Sequence, residues 1–278
     1  MGRDAAAILA DLQRAEDGLH AAACDHEHVV LWFEHDSYDQ LILARCLARF
    51  AETLPRQLEL ISVDRFPGTA RFTGIGQLPP EALRLLWSER RTVSGRQLAT
   101  GRAVWESLRL ADPTPLAAMA RAYLPELPHL AKALRRHCQE LPWLRDGLGL
   151  TERLVLQRLT GGPKTVGEIY RDLMTMHEPL PWLGDLMFLF VIEDMKRAKP
   201  PALVGSFDGE ERHWPQERLA LTALGRSVLA GEVDWLSLSP PERWLGGVRI
   251  AAARPCWRWD DAASTTVLVQ PPILPHPL

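Results

Sequence analysis

The sequence predicts an α/β part followed by a mostly α part: a partial parallel sheet, a helical region, then a helix-rich domain with a short hairpin. Three observations predict it. An unbroken apolar run, Val29-Val30-Leu31-Trp32-Phe33, is followed by a helical stripe and a second β-rich run, Leu58 to Val63. From Pro79 to about Leu141 the apolar spacing is helical throughout. Beyond Leu150, three helical segments precede two short strand-like runs and a closing helix.

The elements follow in order. Residues 4 to 24 carry Ile8, Leu9, Leu12, Ala15 and Leu19 at helical spacing, and Arg3 and Asp4 followed by Asp11, Arg14 and Glu16 make this an amphipathic helix pattern and not a signal peptide. The run from Val29 to Phe33 suits a central strand buried on both faces. Ser37-Tyr38-Asp39-Gln40 then fits a capping box, in which Ser37 accepts from the amide three residues on and Gln40 reaches back. The helix it opens turns Leu41, Leu43, Ala44, Leu47 and Ala48 inward and stops before Pro55. Strand, helix and strand at this spacing make a βαβ unit, so residues 1–78 read as a Rossmann-like α/β part. Residues 79–149 read as a helical linker region packed on it, with Trp87, Trp105 and Trp143 as core.

Residues 150–232 change character. Thr151-Glu152-Arg153 opens one helix, Thr165-Val166-Gly167-Glu168 is a second capping box, and a third helix runs from about Leu183 to Arg197. Strands are expected near Ala202-Leu203-Val204 and Arg218 to Leu221, then a helix from Thr222 to Leu229. Three helices, a hairpin and a closing helix resemble a winged helix-turn-helix. The pieces "LTERLVLQRL", "TVGEIY" and "LALTALGRSVL" are similar to those of many bacterial regulators. Residues 233–278 read as a Trp-rich β cap, with a strand at Val248-Arg249-Ile250, and a proline-rich extended tail from Gln270 to Pro275.

Composition narrows the function. Hydrophobic content is 46%, charged content 24% and formal net charge -3, so nothing global favours nucleic acid or an anionic membrane. The longest apolar run, Leu186 to Ile192, is far short of the roughly 20 residues of a membrane helix. Four scattered cysteines, none in a Cys-x-x-Cys pair, point to a reduced cytoplasmic protein without structural zinc. Residues 150–232 hold ten Lys/Arg against twelve Asp/Glu, and the third helix has three acids, two bases and an apolar middle. A DNA reader needs the opposite balance. A helix apolar all round is expected to be buried, which makes this a packing or protein-interaction module.

One corner concentrates polar chemistry. Glu34, His35, Asp36 and Asp39 stand where the first strand meets its helix, the place where ligands sit in parallel α/β sheets. They could supply a general acid, a general base or ligands for a divalent metal, with His35, Asp36 and Asp39 in the catalytic role. Glu34, Ser37, Gln40 and Asp64, which follows the second strand, would complete a binding site. The same acids also suit a helix N-terminus with no ligand at all. No Gly-x-Gly-x-x-Gly, P-loop or Gly-x-Ser-x-Gly motif occurs, and no cofactor is assigned. His26-Glu27-His28 reads as solvated surface before the strand.

The stretch "VVLWFEHDSYDQLILARCLARF" resembles the bacterial domain-of-unknown-function family numbered 1835, in which a strand ends in a "W-F-x-H-D-x-x-D-Q" turn. "GLTERLVLQRL", "WLGD", "LALTALGRSVLAGEVDW" and "RWLGG" are similar to its later parts. Trp32, His35, Asp36, Asp39 and Gln40 carry the signature. The resemblance implies a fold and no activity. Members usually begin with a further strand and a Gly-Asp-Ser-type turn, and none precedes Val29, so a site needing that turn is incomplete here. The resulting expectation is an accessory or regulatory protein with a protein partner or homo-oligomeric state. The alternatives are a metal-assisted hydrolase or transferase using Glu34, His35, Asp36 and Asp39, and a winged-helix DNA-binding regulator.

Overall fold

The computed structural model describes residues 4–208, 213–252 and 254–270. It is mixed α/β with several small sheets, and the chain divides into two compact units. The first comprises Met1–Ser107 and Tyr123–Leu130, the second Leu108–Ala122 and Ala131–Leu278. No helix among the described residues is long and apolar enough to cross a membrane.

In the first unit, α1 (Ala5–Asp25) precedes β1 (His28–Glu34), α2 (Ser37–Glu52) and β2 (Gln57–Val63). The strands are parallel, in register from His28 opposite Gln57 to Glu34 opposite Val63, as the βαβ spacing requires. After α3 (Pro80–Leu86), a two-residue strand, β3 (Arg91–Thr92), pairs antiparallel with the other edge of β2. This strand breaks the run expected to be helical throughout. It is too short to carry an alternation that could be read. The sheet order β1-β2-β3 corrects a second expectation, because β2 is central and β1 lies at the edge. Leu31 and Phe33 are buried, while Val29, Val30 and Trp32 are half-buried. The other face of the sheet, with Ile61 and Val63, packs on Phe72 and Leu86.

Two surface features of this unit also depart from expectation. His28 is not merely solvated, for its Nε2 lies 2.6 Å from the carboxylate of Glu59, which also accepts from Arg90 at 3.1 Å. Trp87 is 43% exposed. It stacks on Trp32 with centroids 6.2 Å apart, and the Arg90 guanidinium lies 4.5 Å from its ring centroid. α4 (Gly95–Leu108) follows. Its start is a reciprocal cap, Gln97 N donating to Ser94 Oγ and Ser94 N to Gln97 Oε1.

The second unit holds α5 (Thr114–Met119), nearly all of α6 (Leu130–Cys138) and α7 (Leu150–Arg158). Then come β4 (Lys164–Thr165), α8 (Val166–Asp172), α9 (Asp185–Arg197), β5 (Leu203–Ser206), β6 (Arg218–Leu221) and α10 (Ala223–Ala230). β6 lies between β4 and β5, antiparallel to both. Thr165 and Glu168 form the expected capping box, and Thr222 caps α10 by accepting from Gly225 N. Phe188, Ile192 and Met195 of α9 join a core with Leu154, Val155, Ile169, Leu219 and Trp235. The rest of α9 is a correction. Leu186, Met187 and Phe190 are 62%, 42% and 59% exposed, so the helix is apolar on its outer face as well as its inner one.

The C-terminal stretch forms β7 (Arg243–Leu245) and β8 (Val248–Ile250), then β9 (Cys256–Asp260) and β10 (Thr265–Val269), each pair an antiparallel ribbon. Gly246, at φ +57°, and Gly247 make the first turn, where a Cβ on either would overlap the backbone of Leu108 and Arg109. Trp235 and Trp259 are fully buried, whereas Trp244 is exposed. The expected proline-rich tail lies, from residue 271 on, outside the described residues.

Candidate functional site

The strand-to-helix turn from Glu34 to Gln40 is a closed set of side chain–backbone bonds. Asp36, not Ser37, is the N-cap of α2: its Oδ1 accepts from Asp39 N at 2.9 Å. Asp suits this position as well as Ser does, and the extended backbone at Asp36 (ψ 170°) moves the cap one residue earlier than expected. Asp39 in turn accepts from Glu34 N through Oδ2 at 2.7 Å. Gln40, buried, donates from Nε2 to Glu34 O. The box is therefore displaced: Asp39 and Gln40 both reach back to the last residue of β1. Ser37 is buried in the first turn of the helix.

Glu34 extends the set across the unit. Its Oε1 accepts from Ile75 N, and Gly74 lets the backbone approach, since a Cβ there would overlap the carboxylate. Three carboxylates thus share one turn, with consequences for their ionisation. Burial, outweighing the bond from Asp39 N and aided by the charges of Asp39 and Glu34, pushes Asp36 up to about 6. Burial likewise raises Glu34 above the ordinary carboxylate value, and the Asp39 charge adds to it.

His35 points away from this lattice. Its ring lies 6.0 Å from that of Phe72 and 6.4 Å, edge-on, from that of His129. His129 Nδ1 stands 4.0 Å from Oδ2 of Asp64, whose other oxygen is 3.7 Å from Arg65 Nε. The site residues thus fall into two groups. Glu34, Asp36, Asp39 and Gln40 are brought together, with Ser37 beside them, and spend their polar atoms on the backbone. His35 and Asp64 are linked instead through His129, a residue sequence reasoning missed. A lone histidine in "LPHLAKAL" gives no local signal, because sixty-five residues and no shared motif separate it from Asp64.

This arrangement limits what the corner can do. Among the described residues, no three His, Cys, Asp or Glu side chains stand together in a geometry that could hold a metal ion. The cysteines add no ligand set, for all four are free and stand apart in the chain. A carboxylate bound to backbone amides is held as an acceptor, whereas a general base must have its acceptor oxygen within reach of a substrate proton. No family model and no curated protein matches the chain.

Proposed function

We propose that this is a cytoplasmic accessory or regulatory protein that acts through protein contacts. In this reading residues 1–78 are a Rossmann-like part and residues 150–232 a winged-helix-like module whose third helix meets a protein rather than DNA. The observation that carries it is the outer face of α9, where Leu186, Met187 and Phe190 stand in water. Exposed apolar side chains grouped on one helix mark an interaction surface. The order α7, β4, α8, α9, β5, β6 and the central position of β6 support the winged-helix-like reading. So does the capping box that opens α8.

Two further observations favour protein over nucleic acid. The third helix offers no Arg, Lys, Asn, Gln or Ser to base edges until Lys196 and Arg197 at its last turn, and Lys196 is bonded to Glu193 at 2.8 Å and to Glu217. The module also carries more acids than bases. At the turn after β1, the carboxylates favour a structural role, locking β1 to α2 and to the segment at Ile75. Fluorescence anisotropy of the full chain with duplex DNA tests the reading across a salt series. The expected result is no binding beyond weak, non-specific levels. Tight affinity that falls steeply with salt and is lost in K196A/R197A would overturn it.

A further inference from the structure

β1 has one edge paired with β2 and one edge with no strand beside it. Gln57 N donates to Glu27 O, and Val29 pairs with Leu58 in the parallel ladder. The odd-numbered residues of β1 therefore turn their peptide groups toward β2. The even-numbered ones, His28, Val30, Trp32 and Glu34, turn theirs away. Glu34 fixes this phase, because its N–H donates to Asp39 Oδ2 and its carbonyl accepts from Gln40 Nε2. Those two side chains close the outer edge at its C-terminal end. Among the described residues, no hydrogen bond reaches the outward N–H and C=O of His28, Val30 or Trp32.

What stays open is a row of N–H and C=O pairs at every second residue from His28 to Trp32. The peptide backbone of another extended strand matches that spacing. The edge also lacks the usual deterrents to pairing: His28 to Glu34 holds no Lys, Pro or Gly, and Val29 to Phe33 is wholly apolar. We infer that β1 pairs with β1 of a second copy of this chain, antiparallel, about a two-fold axis at Val30. Register singles out the second copy. With Val30 opposite Val30, His28 of each copy faces Trp32 of the other, and every open pair of both strands is met. The closed end at Glu34 then lies opposite His26, before the partner's strand begins. Shifting the register by two residues sets either His28 against the closed Glu34 or Trp32 against His26, outside the strand. The proline-rich stretch after Gln270 is no substitute, for Pro271, Pro272, Pro275 and Pro277 have no N–H to give.

The side chains agree with this register. Alternate residues of a strand point to opposite faces, so Val29 meets Leu31 of the other copy twice on one face. On the opposite face Val30 meets Val30, flanked by two pairs of His28 with Trp32. Val29, Val30 and Trp32 are half-buried in the single chain, so each has surface left to bury. The pairing supplies about six hydrogen bonds against roughly ten in a typical interface, so the dimer is weak, with Kd about 100 µM. This edge belongs to the first unit and shares no residue with α9, so the inference stands apart from the reading of α9 as an interaction helix.

Sedimentation equilibrium of the full chain from about 10 µM to 1 mM, with a circular dichroism melt for each variant, tests this. Proline at Val30 removes an N–H that β2 does not use, so V30P should remain folded while losing the second copy. The wild type is expected to dimerise, F190E to dimerise equally, and V30P to be a folded monomer. Residue-resolved amide exchange on the wild type needs no variant to fold. Between about 10 µM and 1 mM, exchange at Val30 and Trp32 should slow about fourfold, the fall in free monomer for that Kd. The amides of Val29, Leu31 and Phe33, bonded to β2, should be protected at both concentrations. A wild type monomeric at 1 mM, a dimer kept by folded V30P or lost in F190E, or exchange at Val30 and Trp32 indifferent to concentration overturns the inference. None of those outcomes touches the choice of protein over DNA for α9, which the anisotropy titration decides by itself.

Discussion

Asp36 shows how one residue can serve structure at an electrostatic cost. Its carboxylate caps α2, yet burial and two neighbouring carboxylates push its pKa up to about 6. A group whose folded pKa lies above its unfolded one contributes most below the unfolded value, and that contribution is lost as pH rises through the folded pKa. Stability should therefore decline between about pH 4 and pH 7 on account of this residue. Asn caps a helix as well as Asp and carries no charge. Asp36→Asn should be close to neutral at pH 4 and stabilising by about 1–3 kcal/mol at pH 8, measured by urea unfolding. A gain independent of pH would mean that burial of the charge is not what Asp36 costs the fold.

At the scale of elements, the caps and the faces follow different rules. The Thr165–Glu168 box is local: Glu168 N donates to Thr165 Oγ1 at 3.2 Å and Thr165 N to Glu168 Oε2 at 2.7 Å. Thr165→Ala should cost about 1 kcal/mol, read as a lower urea midpoint at unchanged slope, with Thr165→Ser retaining most of the stability. An Ala variant as stable as wild type would show that α8 is held by core packing alone. The outer face of α9 obeys no local rule. Its pattern is apolar on every side, and only the position of its neighbours determines which three of those side chains face water.

Across the larger unit, a buried ionic cluster ties distant parts of the chain. Arg136, on α6, donates Nε and Nη2 to the two oxygens of Glu178 at 2.7 and 2.8 Å, and Nη1 to Glu140 at 2.6 Å. Glu140 also accepts from the amide and the hydroxyl of Thr151 at the start of α7. Burial alone would raise the Glu140 pKa, but Arg136, Thr151 and Arg243 outweigh it and hold it below the usual range. Its contribution is then present above the unfolded carboxylate pKa and lost as pH falls through the folded one. Arg136→Met should cost about 3–5 kcal/mol at pH 7, because Glu178 and Glu140 both lose the buried guanidinium that bonds them. The loss should shrink in acid, where Glu140 takes up a proton. A loss that stays constant from pH 7 to pH 4 would assign the effect to packing.

The sequence by itself determined the local features of this protein: the βαβ unit, the capping box of α8, the hairpin strands and the acid-rich turn after β1. Each is written within about thirty residues, as periodicity or as a cap whose partner is three residues away. Edge and centre were not legible, since β1 carries the longer apolar run, whereas β2 is interrupted by Glu59 and Ser62, and only β3 makes β2 central. Nor was the displaced cap, because Ser37 and Asp36 are equivalent acceptors until the backbone angle at Asp36 is known. The approach of His129 to His35 and Asp64, the clamp of Arg136 on Glu178, and the apolar side of α9 that stays in water were decided only by tertiary structure. The physical reason is the same in each case: burial and pairing depend on what the chain brings alongside, and a periodic pattern specifies a face but not its neighbour.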